Sequence, residues 1–198
     1  MENSKHQQLK SNIEAHLDSP ITLFSKLRNL IFGKKIPDIY TQITFYIGLV
    51  ICLIFIAWNL LGYIALTNTK WIETEKGIDV RAFIYKRGIE LGFEPESFHH
   101  ILQQFQLIAL FCWSFVFVGL VLLWRKIPYF IYITAGACII YWLCMVFMLT
   151  FSYWKYDTTF FDKCAFFALL LFSTIHYFFL KKESRGDHTN FFGIDETE

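Results

Sequence analysis

The sequence predicts an all-α fold: a four-helix transmembrane bundle with an amphipathic N-terminal helix and a partly helical extracytoplasmic loop. Three observations lead there. Apolar residues make up 55% of the 198 and aromatics 20%, while charged residues reach only 18%, against about 25% in a soluble domain. The shortage of charge is concentrated in four apolar stretches, each long enough to cross a hydrocarbon core of about 30 Å. Charged residues, three of the four prolines and many of the tyrosines and tryptophans gather at or between the ends of those stretches, where headgroups meet hydrocarbon.

Residues 1–42 form an N-terminal segment expected to be cytoplasmic. Ser19 before Pro20 suits a helix start, and Ile21, Leu23, Phe24, Leu27, Leu30 and Ile31 recur at helical spacing beside Lys26 and Arg28. Such a helix either lies in the headgroup region or packs on the cytoplasmic ends of the bundle. Pro37 separates it from the transmembrane domain, residues 43–180.

The first span runs from about Ile43 to Leu66 and reaches about 36 Å. Residues 67–100 form the long outer loop. Within it Asp79 caps a helix through about Leu91, and Gly92 with Pro95 ends it; Ser97 is a candidate cap for the next helix. The second span covers about Ile101–Trp124, with Gln103, Gln104 and Gln106 at its polar entrance. Arg125-Lys126-Ile127-Pro128 turns the chain into a third span over Tyr129–Thr150. A connector over 152–161 precedes the fourth span, which ends near Leu180, and residues 181–198 form a polar cytoplasmic tail.

Lys and Arg near span ends set orientation. Lys26, Arg28, Lys34, Lys35, Arg125, Lys126, Lys181, Lys182 and Arg185 outnumber Lys70, Lys76, Arg81, Lys86, Arg87, Lys155 and Lys163 on the other side. Both termini are therefore expected in the cytoplasm.

Four polar groups inside the spans are candidate bundle contacts. Asn59 and Gln106 fall at similar depth, and a side-chain hydrogen bond between them would join spans one and two. His176 lies near the depth of Thr134, and a neutral imidazole hydrogen-bonded to Thr134 or to a backbone carbonyl is expected. Helix association is the simpler reading of each pair; a substrate or ion contact, a proton relay or cofactor ligation is the sharper one. Asp79, His99, His100, Asp162 and Lys163 form a candidate outer-face site. For Asp162 and Lys163, interfacial anchoring competes with a binding mouth. Adjacent histidines on a helix point about 100° apart, which argues against a shared metal ion.

The five cysteines read as small apolar residues within spans, with no paired redox or zinc spacing. The small cluster Ala135-Gly136-Ala137 suits a close helix approach. No P-loop, zinc-protease, dinucleotide or serine-nucleophile motif is present. No cofactor and no nucleic-acid partner is expected. The expected partners are membrane lipids and another membrane protein or a second copy. The chain thus reads as a small multi-pass membrane subunit that binds or positions another membrane component. The alternatives are a transporter or channel, and an enzyme acting on a lipid at the outer face.

Overall fold

Asp38 starts the first helix: its carboxylate accepts from the Thr41 amide at 3.0 Å, satisfying one of the amides a helix start leaves open. The structure, a computed structural model, describes Asn29, Gly33 and residues 37–184. Apart from Asn29 and Gly33, the expected amphipathic N-terminal helix lies outside the described residues, as does the tail beyond Ser184.

Among the described residues there are six helices and no strands. These are α1 (Ile39–Thr67), α2 (Thr69–Lys76), α3 (Val80–Glu90), α4 (Pro95–Trp124), α5 (Phe130–Tyr156) and α6 (Phe160–Ser184). Four of them, α1, α4, α5 and α6, are long and apolar enough to cross a bilayer, which makes this an integral membrane protein. They form a ring in the order α1, α4, α5, α6, with α4 packed most extensively on its neighbours and α6 closing the ring against α1.

Each boundary has a local cause. Asp38 begins α1 four residues before the expected start of the first span. Helix α2 adds a short helix ahead of the one expected in the outer loop; Gly77, at φ 63°, ends it. Asp79 caps α3 as expected, accepting from the Ala82 amide at 2.9 Å. At the end of α3, Phe93 N donates to the Gly88 carbonyl and Gly92 N to that of Ile89, a Schellman turn with glycine in the left-handed position. Ser97 is not a cap, because Pro95 already occupies the first turn of α4. The end of α4 repeats the Schellman pattern with Ile127 N to Leu122 and Lys126 N to Leu123. Here Lys126, at φ 57°, takes the place usually held by glycine.

The third span contains a break. Thr150 has φ 73° and ψ 158°, so α5 consists of a long segment before it and a short one after it. That backbone region is essentially reserved for glycine, and holding a β-branched residue there costs about 1–3 kcal/mol. Part of the expected connector over 152–161 is therefore helical, and only Asp157–Thr159 separates α5 from α6.

Helices approach where side chains are missing. A Cβ on Gly48 would meet Leu120 Cδ2 at 2.6 Å and Leu169 Cδ1 at 3.3 Å, so α1 touches α4 and α6 there. A Cβ on Gly119 would collide with the Thr134 hydroxyl, joining α4 to α5. Gly136 meets nothing within 4 Å, so the close approach of the third span falls at Thr134 and Ala137 rather than at its small cluster. This is the packing of membrane helices, where backbone proximity rather than a hydrophobic drive holds neighbours together.

The middle of the ring is filled by aromatic side chains. Phe55 of α1 stacks on Trp113 of α4, with centroids 4.1 Å apart and planes at 9°. Tyr141 of α5 meets the edges of both and also lies against Phe105 and Phe166. Every helix of the ring reaches Tyr141. The Cys52 thiol donates to the Trp113 carbonyl at 3.3 Å beside this cluster. Cys52, Cys112 and Cys138 are buried as apolar residues, but Cys164 is exposed on α6.

Candidate functional site

The turn end of the bundle, where α1 and α5 begin and α6 approaches its end, holds a polar cluster built on buried Thr41 and His176. The N-cap geometry of Asp38 presents Thr41 inward from the first turn of α1, where it is fully buried. The Thr41 hydroxyl donates to Asp38 Oδ1 at 2.7 Å, and His176 Nε2 lies 3.3 Å from the same oxygen. A threonine has one hydroxyl proton, so the network assigns a proton to Nε2, which donates to Thr41. Lys126 Nζ lies 3.0 Å from Asp38 Oδ1, delivered there by the left-handed turn at the end of α4.

His176 is 2% exposed. Its ring stacks on Tyr40 at 5.1 Å and 15°, and meets the edge of Phe130 at 6.0 Å. Burial pushes the Asp38 carboxyl up, but hydrogen bonds from the Thr41 hydroxyl and amide, together with Lys126, outweigh it and hold the pKa at about 2. The carboxylate is thus ionised at neutral pH and anchors a chain running from Lys126 through Asp38 and Thr41 to His176. Because Thr41 is fully buried, the chain fixes α1 against α6 and does not present a hydroxyl to a substrate.

Of the two partners expected for His176, a backbone carbonyl or Thr134, Thr134 does not serve. Thr134 is fully buried against Gly119 of α4, and its Oγ1 has no hydrogen-bond partner. Thr41 takes the role instead, because the N-cap begins α1 early enough to carry a hydroxyl to the depth of His176. The missed signal was local: an aspartate three positions before a threonine, directly after Pro37, is an N-cap pattern.

The other expected pair is also rearranged. Asn59 and Gln106 are both buried, 3% and 8% exposed, and α1 and α4 do pack together. The Asn59 amide, however, donates to the Phe55 carbonyl of its own helix at 2.7 Å. Gln106 sits one turn further along, over Gly62, whose added Cβ would lie 3.0 Å from the Gln106 amide. No hydrogen bond joins the two side chains, and Gln106 Oε1 is buried without a partner. A direct tie between α1 and α4 comes instead from Gln103 Nε2 donating to Thr67 Oγ1 at 3.0 Å.

At the loop end, the candidate outer-face residues have separate local engagements. Asp79 caps α3 and lines a shallow groove with Glu73, Arg81 and Tyr85. The His99 and His100 rings meet edge to face, with centroids 5.8 Å apart and planes at 88°; His99 is half-buried and His100 exposed. Asp162 accepts from the Thr159 amide at 3.0 Å and its hydroxyl at 2.7 Å, while Thr159 Oγ1 accepts from the Asp162 amide. This reciprocal pattern is a capping box. Lys163 Nζ donates to the Lys155 carbonyl at 2.9 Å and lies 5.3 Å from the Trp154 ring centre. Among the described residues, no three His, Cys, Asp or Glu side chains are placed to hold a metal ion.

One strong feature of this end escaped the sequence. Arg87 of α3 grips Asp157 at two points, Nε donating at 2.8 Å and Nη2 at 2.7 Å, while Nη1 meets Glu90 at 2.5 Å. Hydrogen bonds to Asp157 and then Glu90 raise the guanidinium pKa further above its ordinary value. Arg87 and Asp157 lie far apart in sequence, so no local pattern announced the pairing.

Fold and site together define an all-helical membrane protein with four candidate spans. No family model, no curated protein and no solved structure matches this chain.

Proposed function

We propose that this chain is a non-enzymatic membrane subunit that binds or positions another membrane component, most directly another membrane protein. The supporting observation is on α6. One stripe of that helix, Leu169, Ser173 and His176, is buried in the ring. The opposite stripe, Phe160, Cys164, Phe167, Leu171, Ile175 and Phe178, recurs at three- and four-residue spacing and faces outward, with Phe160 76% and Phe178 63% exposed. A continuous seam at that spacing is what a second helix packs on. Thr41 with His176 and Gln103 with Thr67 fasten helices of the bundle to one another, Asn59 bonds within its own helix, and the aromatic cluster around Tyr141 occupies the level between the Asn59–Gln106 region and His176. Those arrangements favour a packed bundle over a polar path, and structural capping over catalysis by Asp79 and Asp162.

Extraction in mild detergent, followed by measurement of mass and partner composition, tests this reading. The expected result is a complex larger than one chain that is lost when Phe167 and Leu171 are both changed to Ala. A strictly monomeric species without an enriched partner under several mild conditions would overturn it.

A further inference from the structure

The short segment after Thr150 does not continue the axis of α5. Trp142 and Trp154 are twelve positions apart, which in a straight helix is about 18 Å along the axis. Their ring centres nevertheless lie 6.3 Å apart at 89°. The chain therefore bends back at Thr150 and lays Trp154 over the loop end of α5 and α6. Beneath it is a crevice lined by Phe55, Tyr141, Met145 and Phe166, with Asp162 and Lys163 at its rim. It encloses about 20 Å³, room for about one water. As it stands the crevice is too tight for a ligand.

Two features show that the closed arrangement is held rather than merely adopted. Thr150 is in a glycine-only backbone region, and its Oγ1 is buried without a hydrogen-bond partner. Strain of this kind persists only where the surroundings over-determine it. The surroundings here are Trp154 on Trp142, the Thr158 hydroxyl donating to the Trp154 carbonyl, Lys163 on the Lys155 carbonyl, and the two-point Arg87–Asp157 pair. Only the last of these reaches outside the α5–α6 hairpin, to the loop helix α3.

We propose that Phe151–Asp157 is a cap over the crevice between α5 and α6, hinged at strained Thr150 and latched to the outer loop by the Arg87–Asp157 pair. The latch couples the position of α3 to access to Tyr141. Whatever displaces α3, or competes with Asp157 for the Arg87 guanidinium, releases the cap, and relief of the Thr150 backbone favours that opening.

Met145 is 2% exposed and lines the crevice, so a thiol placed there reports opening. Met145→Cys on a cysteine-free background should react slowly with a small charged methanethiosulfonate, and about tenfold faster when Arg87→Ala is added, the scale of a lost charged hydrogen bond. Glu90→Ala, which leaves the Asp157 pair intact, should not change the rate. The swap Arg87→Asp with Asp157→Arg should restore slow labelling. Thr150→Gly, which accepts the bent backbone without strain, should slow labelling further. In the otherwise native chain, Arg87→Ala should also speed amide hydrogen exchange over 151–157 without affecting the mid-span amides of α5, which keeps the test open if the cysteine variants do not fold. Equal labelling or exchange rates with and without Arg87 would overturn the latch. Faster labelling in Thr150→Gly would overturn the hinge.

Discussion

Thr41 and His176 meet at 3.3 Å across 135 positions of sequence, and through that contact the first turn of α1 is fastened to the last turns of α6. The oxygen of Thr41 serves both sides, donating to Asp38 and accepting from His176. A valine of similar shape would take that oxygen from the buried His176 Nε2, whereas Asp38, at the surface, keeps the Thr41 amide and Lys126.

Thr41→Val should therefore destabilise the protein by about 2 kcal/mol, the scale of leaving a buried polar group unsatisfied. Thr41→Ser, which keeps the hydroxyl, should recover most of the loss. Thermal unfolding in detergent measures both. Equal melting temperatures for wild type and the valine variant would remove the contact from the stabilising set.

Asp38 predicts a dependence on acid. Its folded pKa, about 2, lies below the ordinary 3.8, so its contribution is fully present above about pH 4 and is lost as pH falls towards 2. Asp38→Asn should be less stable than wild type at neutral pH, and the gap between the two should close over that acidic window. Melting temperatures collected from pH 5 to pH 2 provide the difference directly. A gap that is constant with pH would show that the carboxylate charge is not what matters.

Gly119→Ala places a methyl group on the Thr134 hydroxyl and 3.2 Å from the Thr134 amide nitrogen. Because the obstacle includes backbone, the helices must part, at a cost of about 1–3 kcal/mol. Gly136→Ala meets nothing within 4 Å and should be nearly neutral. Thr134→Ala should recover part of the Gly119→Ala loss, since the two changes share one contact. Paired unfolding measurements on the two glycine variants separate these outcomes.

Orientation has its own test. Single cysteines at Thr74, Ser11 and Ser184, on a cysteine-free background in sealed right-side-out vesicles, should differ with an impermeant thiol reagent. Thr74 should label at once, and the other two only after permeabilisation. The reverse pattern would invert the orientation while keeping four spans.

The four spans were legible because length and apolar content report directly on what a bilayer accepts, and Asp79 and Gly92 marked α3 because capping is a local code. The break at Thr150 was not legible. Threonine is an improbable residue for that backbone conformation, and the contacts that enforce it come from α3 and α6. The same distinction runs through the candidate site. His176 stood out as a titratable residue in an apolar stretch, but its partner depended on where α1 begins, a matter of a few residues. Asn59 and Gln106 are polar positions within spans, yet no hydrogen bond joins them, because Asn59 donates to an acceptor in its own helix. Depth along an axis can be counted from sequence; which face a side chain turns to, and which carbonyl it finds first, depends on the packed neighbours.

The ring order carries a consequence for how the protein is made. The neighbour that covers Thr41 is α6, the last of these four spans to leave the ribosome. At about 5–20 residues per second, roughly 7 to 27 seconds separate the synthesis of Thr41 from that of His176. Through that interval the side of α1 bearing Thr41 and Gly48 lacks its α6 contacts, although α4 and α5 have already emerged. The ring is sealed by its final segment, and a nascent chain stopped before Phe160 would hold three spans with an open polar seam. Pulse-labelled chains should accordingly remain protease-sensitive until α6 has been inserted.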